Sequence, residues 1–340
     1  MASGFEALTY HGGDLAVARR LMPDAPQPWI DLSTGINPHP YPLPALEPEA
    51  WTRLPDRESL ARLEAAAAAR YRAPSPAHVV AAAGSQQLIQ TLARLLPAKR
   101  VGVFGTTYLG HERAWRAAGA QVESADAFAR LADCDAAIVV NPNNPDGRIV
   151  ERAGLVELRD ALAWRGGALI VDEAFMDFDG AEHSLAPRLP ADAIVLRSFG
   201  KTYGLAGLRL GFAIAAPDVA QTLRAALGPW PVSGPAIVIG CAALADTGWL
   251  EASATRLAAD AARLDRLLAD CGWTIVGGTR LFRLAHCPTA KERFVDLLRQ
   301  GILTRPFADA PQRIRFGIPA TEEEWRRLTE AMAVDDRGSL

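Results

Sequence analysis

Short, nearly unbroken apolar stretches recur through the first two-thirds of the chain, over 79–83, 100–104, 136–140, 168–172 and 193–196. Each is too short for a buried helix and lacks the alternation of a half-exposed strand, so each reads as a strand covered on both faces. Stretches of helical period lie around and between them. The alanine-rich segment 58–71 carries Leu60, Leu63 and Ala67 at helical spacing, and 155–164 and 218–227 read the same way. Strand and helix in alternation predict an α/β fold with a mainly parallel sheet between helical layers. The pattern changes past residue 216. A long helix over 247–271 sets Arg and Asp against Ala and Leu, with Leu257, Leu264 and Leu268 as core positions. Strands over 273–276, 281–284 and 312–317 and helices over 291–300 and 321–332 then predict a smaller α+β domain.

At the other end, Asp14 is placed to cap a short helix over 15–22, and 29–38 is an extended segment ending in a turn. Prolines at 38, 40, 42, 44 and 48 predict an irregular crossing over 37–49. The polar tail 335–340 should fray. The expected division is an N-terminal segment over 1–45, a large domain over 46–240 and a small domain over 241–335.

Composition narrows the function classes. The 340 residues are 49% apolar and 22% charged, which suits a soluble protein with a sizeable core. A net charge of −3 gives no electrostatic case for nucleic acid or an anionic membrane. Residues 1–11 lack the basic region and apolar core of a signal peptide, and apolar runs such as 236–245 are too short to span a bilayer. Cys134, Cys241, Cys271 and Cys287 form no CxxC pair, and the six histidines are dispersed. The simplest expectation is a cytoplasmic protein with reduced thiols and no structural metal.

One residue type stands out by its scarcity. The chain has three lysines, Lys99, Lys201 and Lys291, and its other fixed positive side chains are all arginine. Lys201 lies in a Gly-rich turn, 198–211, between a strand and a second apolar run over 210–216. Imine formation is the chemistry arginine cannot perform, because its guanidinium is never deprotonated, so Lys201 is a candidate imine-forming lysine. Four other features fall near strand ends, where α/β sheets bind ligands. The strand–glycine–helix switch at Gly84-Ser85-Gln86 offers an anion the free N–H groups of a helix start. Tyr108 follows the strand 100–104. Asn144 lies in the stiff loop Asn141-Pro-Asn-Asn-Pro-Asp-Gly147, and Asp172 ends the strand 168–172. With Ser198 and Arg209 completing the anion cup, an aromatic cofactor bearing a phosphate would use the whole set. Pyridoxal 5'-phosphate fits, with Lys201 as its amine, Asp172 on the pyridine nitrogen and Tyr108 stacked on the ring.

These residues, read as Ala83-Gly-Ser-Gln86, Thr107-Tyr108, Asn141-Pro-Asn-Asn-Pro145, Val171-Asp-Glu-Ala174 and Ser198-Phe-Gly-Lys201 through Arg209, occur in an order that resembles the pyridoxal-phosphate enzymes of the aspartate aminotransferase fold. The resemblance runs from about residue 30 to 333. It implies fold type I with a seven-stranded mixed sheet, a homodimer, and a hydrogen bond from Asn144 to the cofactor's ring oxygen. Two positions depart from the pattern. Phe175 replaces a tyrosine and cannot donate to the ring oxygen, which predicts a raised imine pKa. Leu54 replaces a tyrosine that would reach a neighbouring subunit's cofactor phosphate.

The C-terminal residues Arg305 and Arg313 resemble the arginine pair that holds substrate anions in the histidinol-phosphate branch. Arg313 and Arg315 share one strand face, so spacing alone does not separate them; the resemblance favours Arg313, with Arg315 a flanking charge. The runs His11-Gly-Gly-Asp14 and Asp31-Leu-Ser-Thr-Gly-Ile-Asn-Pro38 resemble a group within that branch that decarboxylates O-phospho-L-threonine to (R)-1-amino-2-propanol O-phosphate in cobalamin biosynthesis. By that likeness His11 and Gly12 meet the substrate phosphate and Gly35 lies against the substrate. Three readings stay open: this decarboxylase, a histidinol-phosphate-type or related aminotransferase, and a binding protein that kept the fold and lost the chemistry.

Overall fold

The computed structural model describes Leu8 and residues 12–333. The chain forms two compact units, Pro40–Glu251 in one and the segments up to His39 and from Ala252 in the other.

The larger unit is built on a seven-stranded sheet in the spatial order Val79–Ala82, Gly211–Ile214, Ala193–Ser198, Ala168–Asp172, Ala136–Val140, Arg100–Phe104, Gln121–Ala125. Gly211–Ile214 runs antiparallel to both its neighbours, and every other pairing is parallel. The apolar runs of the sequence are explained by burial on both sides. Val79, Ala81, Val139, Val171, Val195 and Phe212 enter one core. Their neighbours Val80, Ile138, Ile170, Ile194 and Ala213 enter the other. Each buried aliphatic side chain contributes roughly 1.5–3 kcal/mol, so both faces commit the sheet to this register.

Most expected elements appear within a few residues of their expected bounds, among them the helices Arg57–Tyr71, Arg152–Ala163 and Pro217–Leu227. Two of the longer ones were not foreseen. Gln121–Ala125 is an edge strand, mostly exposed or half-buried, so no apolar run marks it. Gly234–Ala245 is a helix with apolar residues on every side, which hides its period. No single helix among the described residues is long and apolar enough to cross a membrane.

The smaller unit carries an antiparallel sheet in the order Arg305–Pro306, Arg313–Gly317, Phe282–His286, Thr274–Thr279. A two-residue parallel pairing joins Ile30–Asp31 to Ile302–Leu303. Its core gathers Ile314 and Phe316 with Leu257, Leu264 and Leu268 from the helix Thr247–Asp270 and Phe294 from Ala290–Arg299. Asp14 caps the helix Leu15–Leu21 as expected, accepting from the Val17 amide.

Candidate active site

The carboxyl ends of the parallel strands in the larger unit collect the expected cofactor residues. Register does this directly: Ala82 and Ser198 flank Gly211 on adjacent strands, and Asp172 is paired with Val140 and Leu196. Gly84 turns the first strand into the helix Ser85–Leu95 at φ +86°, a backbone region that favours glycine. A side chain there would also collide with Arg209, whose Nη2 lies 2.7 Å from where a Cβ would be. Gly211 is confined in the same way, with the Ser85 amide 2.4 Å from its Cβ position. Gly84, Ser85, Ser198 and Arg209 therefore converge. The helix has no side-chain cap, and Arg209 donates to the Ala206 carbonyl at 3.1 Å with no carboxylate partner among the described residues. A guanidinium at the positive end of a helix dipole is repelled until an anion joins it, which is the electrostatics of a phosphate cup.

Gln86 is taken up differently. Its Oε1 accepts from the Tyr108 hydroxyl at 2.9 Å, which links the cup to the ring expected to stack on the cofactor. Gly110 leaves room for that ring, because a Cβ there would lie 2.2 Å from the tyrosine ring carbon Cε1.

Asp172 is buried, and one carboxylate oxygen lies 2.9 Å from His111 Nε2 while the other accepts from the Ala174 amide at 3.1 Å. Burial alone would push its pKa up. The His111 hydrogen bond and charge, with Lys201 nearby, outweigh burial and hold the carboxyl below its ordinary value. A carboxylate that stays charged inside the protein suits a protonated pyridine nitrogen. His111 itself is buried and was missed in the sequence, since a histidine in a helix start carries no signal until its partner is known. Lys201 lies in the helical turn Phe199–Thr202, with its Nζ 4.7 Å from the centre of the Phe175 ring.

The loop over 141–147 sorts its own asparagines. Asn141 exchanges hydrogen bonds with Val150, at 3.0 and 2.8 Å. Asn143 is held by Thr107, the Thr106 carbonyl and Asp146. Both are fully buried, which leaves Asn144 as the half-buried amide of the three.

The smaller unit places the substrate-side candidates. Arg305 and Arg315 are directly opposed across two antiparallel strands, and both are buried. Arg313, expected to be Arg305's partner, is exposed and paired instead with His286 at the far end of its strand. The structure thus brings Arg315, not Arg313, together with Arg305. The two-residue spacing sets a common face, but the position of the neighbouring strand decides which residue it covers. Burial and the adjacent Arg305 charge push the Arg315 guanidinium down to about 9, with Asp31 acting the other way. Arg315 Nη2 donates to the Ser33 carbonyl at 2.8 Å, and Arg305 Nη1 to the Leu8 carbonyl at 3.3 Å. Gly12 packs on Ser33 so closely that a Cβ would lie 2.2 Å from its carbonyl oxygen, while Ser33 Oγ accepts from the Gly13 amide at 2.7 Å. Gly35 is buried in the adjoining segment. His11 lies outside the described residues.

Over 325 residues the chain is 43% identical to a threonine-phosphate decarboxylase of Pseudomonas aeruginosa, covering 95% of this chain and 96% of that one. A threonine-phosphate decarboxylase of a Sinorhizobium species is 42% identical over 331 residues, with 95% and 97% covered. Among solved structures, a histidinol-phosphate aminotransferase from Sinorhizobium meliloti in complex with pyridoxal 5'-phosphate superposes with a TM-score of 0.81 at 22% identity, covering 96% of this chain and 95% of that one. The sequence profile of one family, aminotransferase class I and II, matches residues 27–332, and the chain belongs to that family.

Proposed function

We propose that the protein is a pyridoxal-phosphate-dependent decarboxylase of O-phospho-L-threonine, releasing carbon dioxide and 1-amino-2-propanol O-phosphate. The observation that carries this reading is the likeness, over nearly the whole chain, to two threonine-phosphate decarboxylases. The chemistry of the site supports the cofactor part of this reading. Pyridoxal 5'-phosphate supplies, when bound, a protonated pyridine ring that accepts the electron pair left at the substrate's α-carbon.

The protein's own residues do the rest. The cup of Gly84, Ser85, Ser198 and Arg209 would hold the cofactor phosphate. Asp172, kept charged by His111, would hold the proton on the ring nitrogen. Tyr108 would fix the ring face, and Asn144 would donate to its oxygen. Lys201 would carry the cofactor and return a proton to the α-carbon once the carboxylate has left. We assign the substrate's two anionic groups to Arg305 and Arg315, displacing the sequence-based choice of Arg313. Two buried guanidiniums in opposed positions are poorly solvated, and a ligand bearing carboxylate and phosphate relieves that directly.

A homodimer belongs to the same proposal. Trp51, Leu54 and Trp230 are large apolar side chains left exposed on the larger unit. Sedimentation at micromolar concentration should give twice the chain mass, and a monomer would reject this part. For the activity, enzyme and cofactor are incubated with phosphothreonine and the products identified. Carbon dioxide with aminopropanol phosphate is the expected outcome. Their absence would reject this reading, and glutamate formed from histidinol phosphate and 2-oxoglutarate would favour the aminotransferase.

A further inference from the structure

Lys201 is carried by a helical turn of four residues, Phe199–Thr202. So short a helix has no cooperative stability of its own, so the direction of the lysine side chain is set by what the turn's other residues touch. On one side Phe199 stacks on Tyr203, with ring centres 4.3 Å apart, and Tyr203 stacks on Trp249 at 5.4 Å. Gly200 is pressed to the Ala206 backbone, its Cβ position only 2.7 Å from the Ala206 Cα. Thr202 faces a buried group of charges. Its hydroxyl donates to Asp177 Oδ2 at 2.6 Å, and Asp177 Oδ1 lies 3.6 Å from both Arg70 and Arg197. Arg197 in turn lies 3.2 Å from Glu173 Oε2, whose remaining contacts are the Ser184 hydroxyl at 2.6 Å and, through Oε1, the Leu185 amide at 2.9 Å.

The sequence positions of the two ends matter. Glu173 follows Asp172, and Thr202 follows Lys201, so one buried chain of contacts begins beside the strand-end carboxylate and ends beside the lysine. Two carboxylates and two guanidiniums balance in charge, and the side chains of Asp177, Arg197 and Glu173 are at most 6% exposed. This group sits behind the residues assigned to chemistry and is used by none of the steps above.

Building on the cofactor reading of Lys201, we propose that the Glu173–Arg197–Asp177–Thr202 chain is a positioning device that fixes the Lys201 amine relative to Asp172. Thr202 is its last link, and editing it leaves the Asp177 carboxylate its ion pairs with Arg70 and Arg197. The experiment compares holoenzyme carrying Thr202→Val, which removes the hydroxyl at nearly constant shape, with Thr202→Ser, which keeps it. Turnover is measured together with the visible circular dichroism of the bound cofactor, which reports its fixed orientation without requiring a reaction. For Thr202→Val, kcat should fall by about 10- to 100-fold, KM should stay within about twofold, and the visible dichroism should weaken while the far-ultraviolet spectrum is unchanged. Thr202→Ser should restore both readouts to near wild type.

Full kcat and dichroism in Thr202→Val would overturn the proposal, as would a serine variant as impaired as the valine one. Failure of the underlying reading looks different. The Lys201→Ala variant would then keep its yellow cofactor colour, whatever Thr202 does.

Discussion

The two units of this molecule solve the burial of charge in opposite ways. In the larger unit each buried ion has a partner: Asp172 has His111 and the Ala174 amide, Glu173 has Arg197, and Asp177 has Arg70 and Arg197. In the smaller unit two buried arginines oppose each other, Arg305 donating to the Leu8 carbonyl and Arg315 to the Ser33 carbonyl, with Asp31 countering the effect of burial on Arg315. The first arrangement holds catalytic groups still whether or not anything is bound. The second sets two like charges side by side, which is where the proposed function places an anionic ligand. On the proposed reading, the cofactor side would be preorganised by the protein's own ion pairs, whereas the substrate side would be completed by the substrate's charge.

Removing the lysine should break the comparison most severely. Lys201→Ala should abolish turnover by roughly 10⁴-fold or more and bleach the bound cofactor, checked by assay and visible absorbance. Next in size is the electrostatic relief itself. Saturating phosphothreonine, at about 100 times its Kd, should stabilise the protein by about 2.7 kcal/mol, read as a rise in Tm. Arg315→Met should lose most of that rise.

The cup offers a smaller effect. Gly84→Ala forces a side chain into positive φ and onto Arg209. It should cost about 1–3 kcal/mol of stability, and pyridoxal 5'-phosphate should bind more weakly by equilibrium dialysis. The smallest effect tests the balanced charges of the larger unit. Asp172 has a depressed pKa, so its contribution is present above the unfolded-state value and is lost as pH falls through the lower folded value. His111→Phe removes the largest force that lowers it and leaves burial to raise it. Cofactor retention should then fail at a higher pH in the variant than in wild type, read by absorbance across an acid titration.

Much of the larger unit was legible because its strands are buried on both faces and their ends are marked by glycine, asparagine and a carboxylate. The Lys201 turn, the Gly84 switch and Asp172 announced themselves by residue type at a strand end. What escaped depended on partners distant in sequence. Nothing around His111 points to Asp172, 61 residues away. Likewise nothing in the sequence marks Asn141 and Asn143 as the ones that Val150, Thr106 and Thr107 hold. Arg313 and Arg315 differ only in what the neighbouring strand covers. A register across strands that meet between residues 305 and 315 is not written in either strand alone.

That last pair gives the most direct test of the claim that opposed buried charge selects the substrate. With phosphothreonine as substrate, kcat/KM is measured for Arg315→Met and Arg313→Met beside wild type. The account predicts a loss of about 2–5 kcal/mol in kcat/KM for Arg315→Met and a change within about threefold for Arg313→Met, whose side chain is exposed. A large loss at Arg313 with Arg315 unaffected would contradict it.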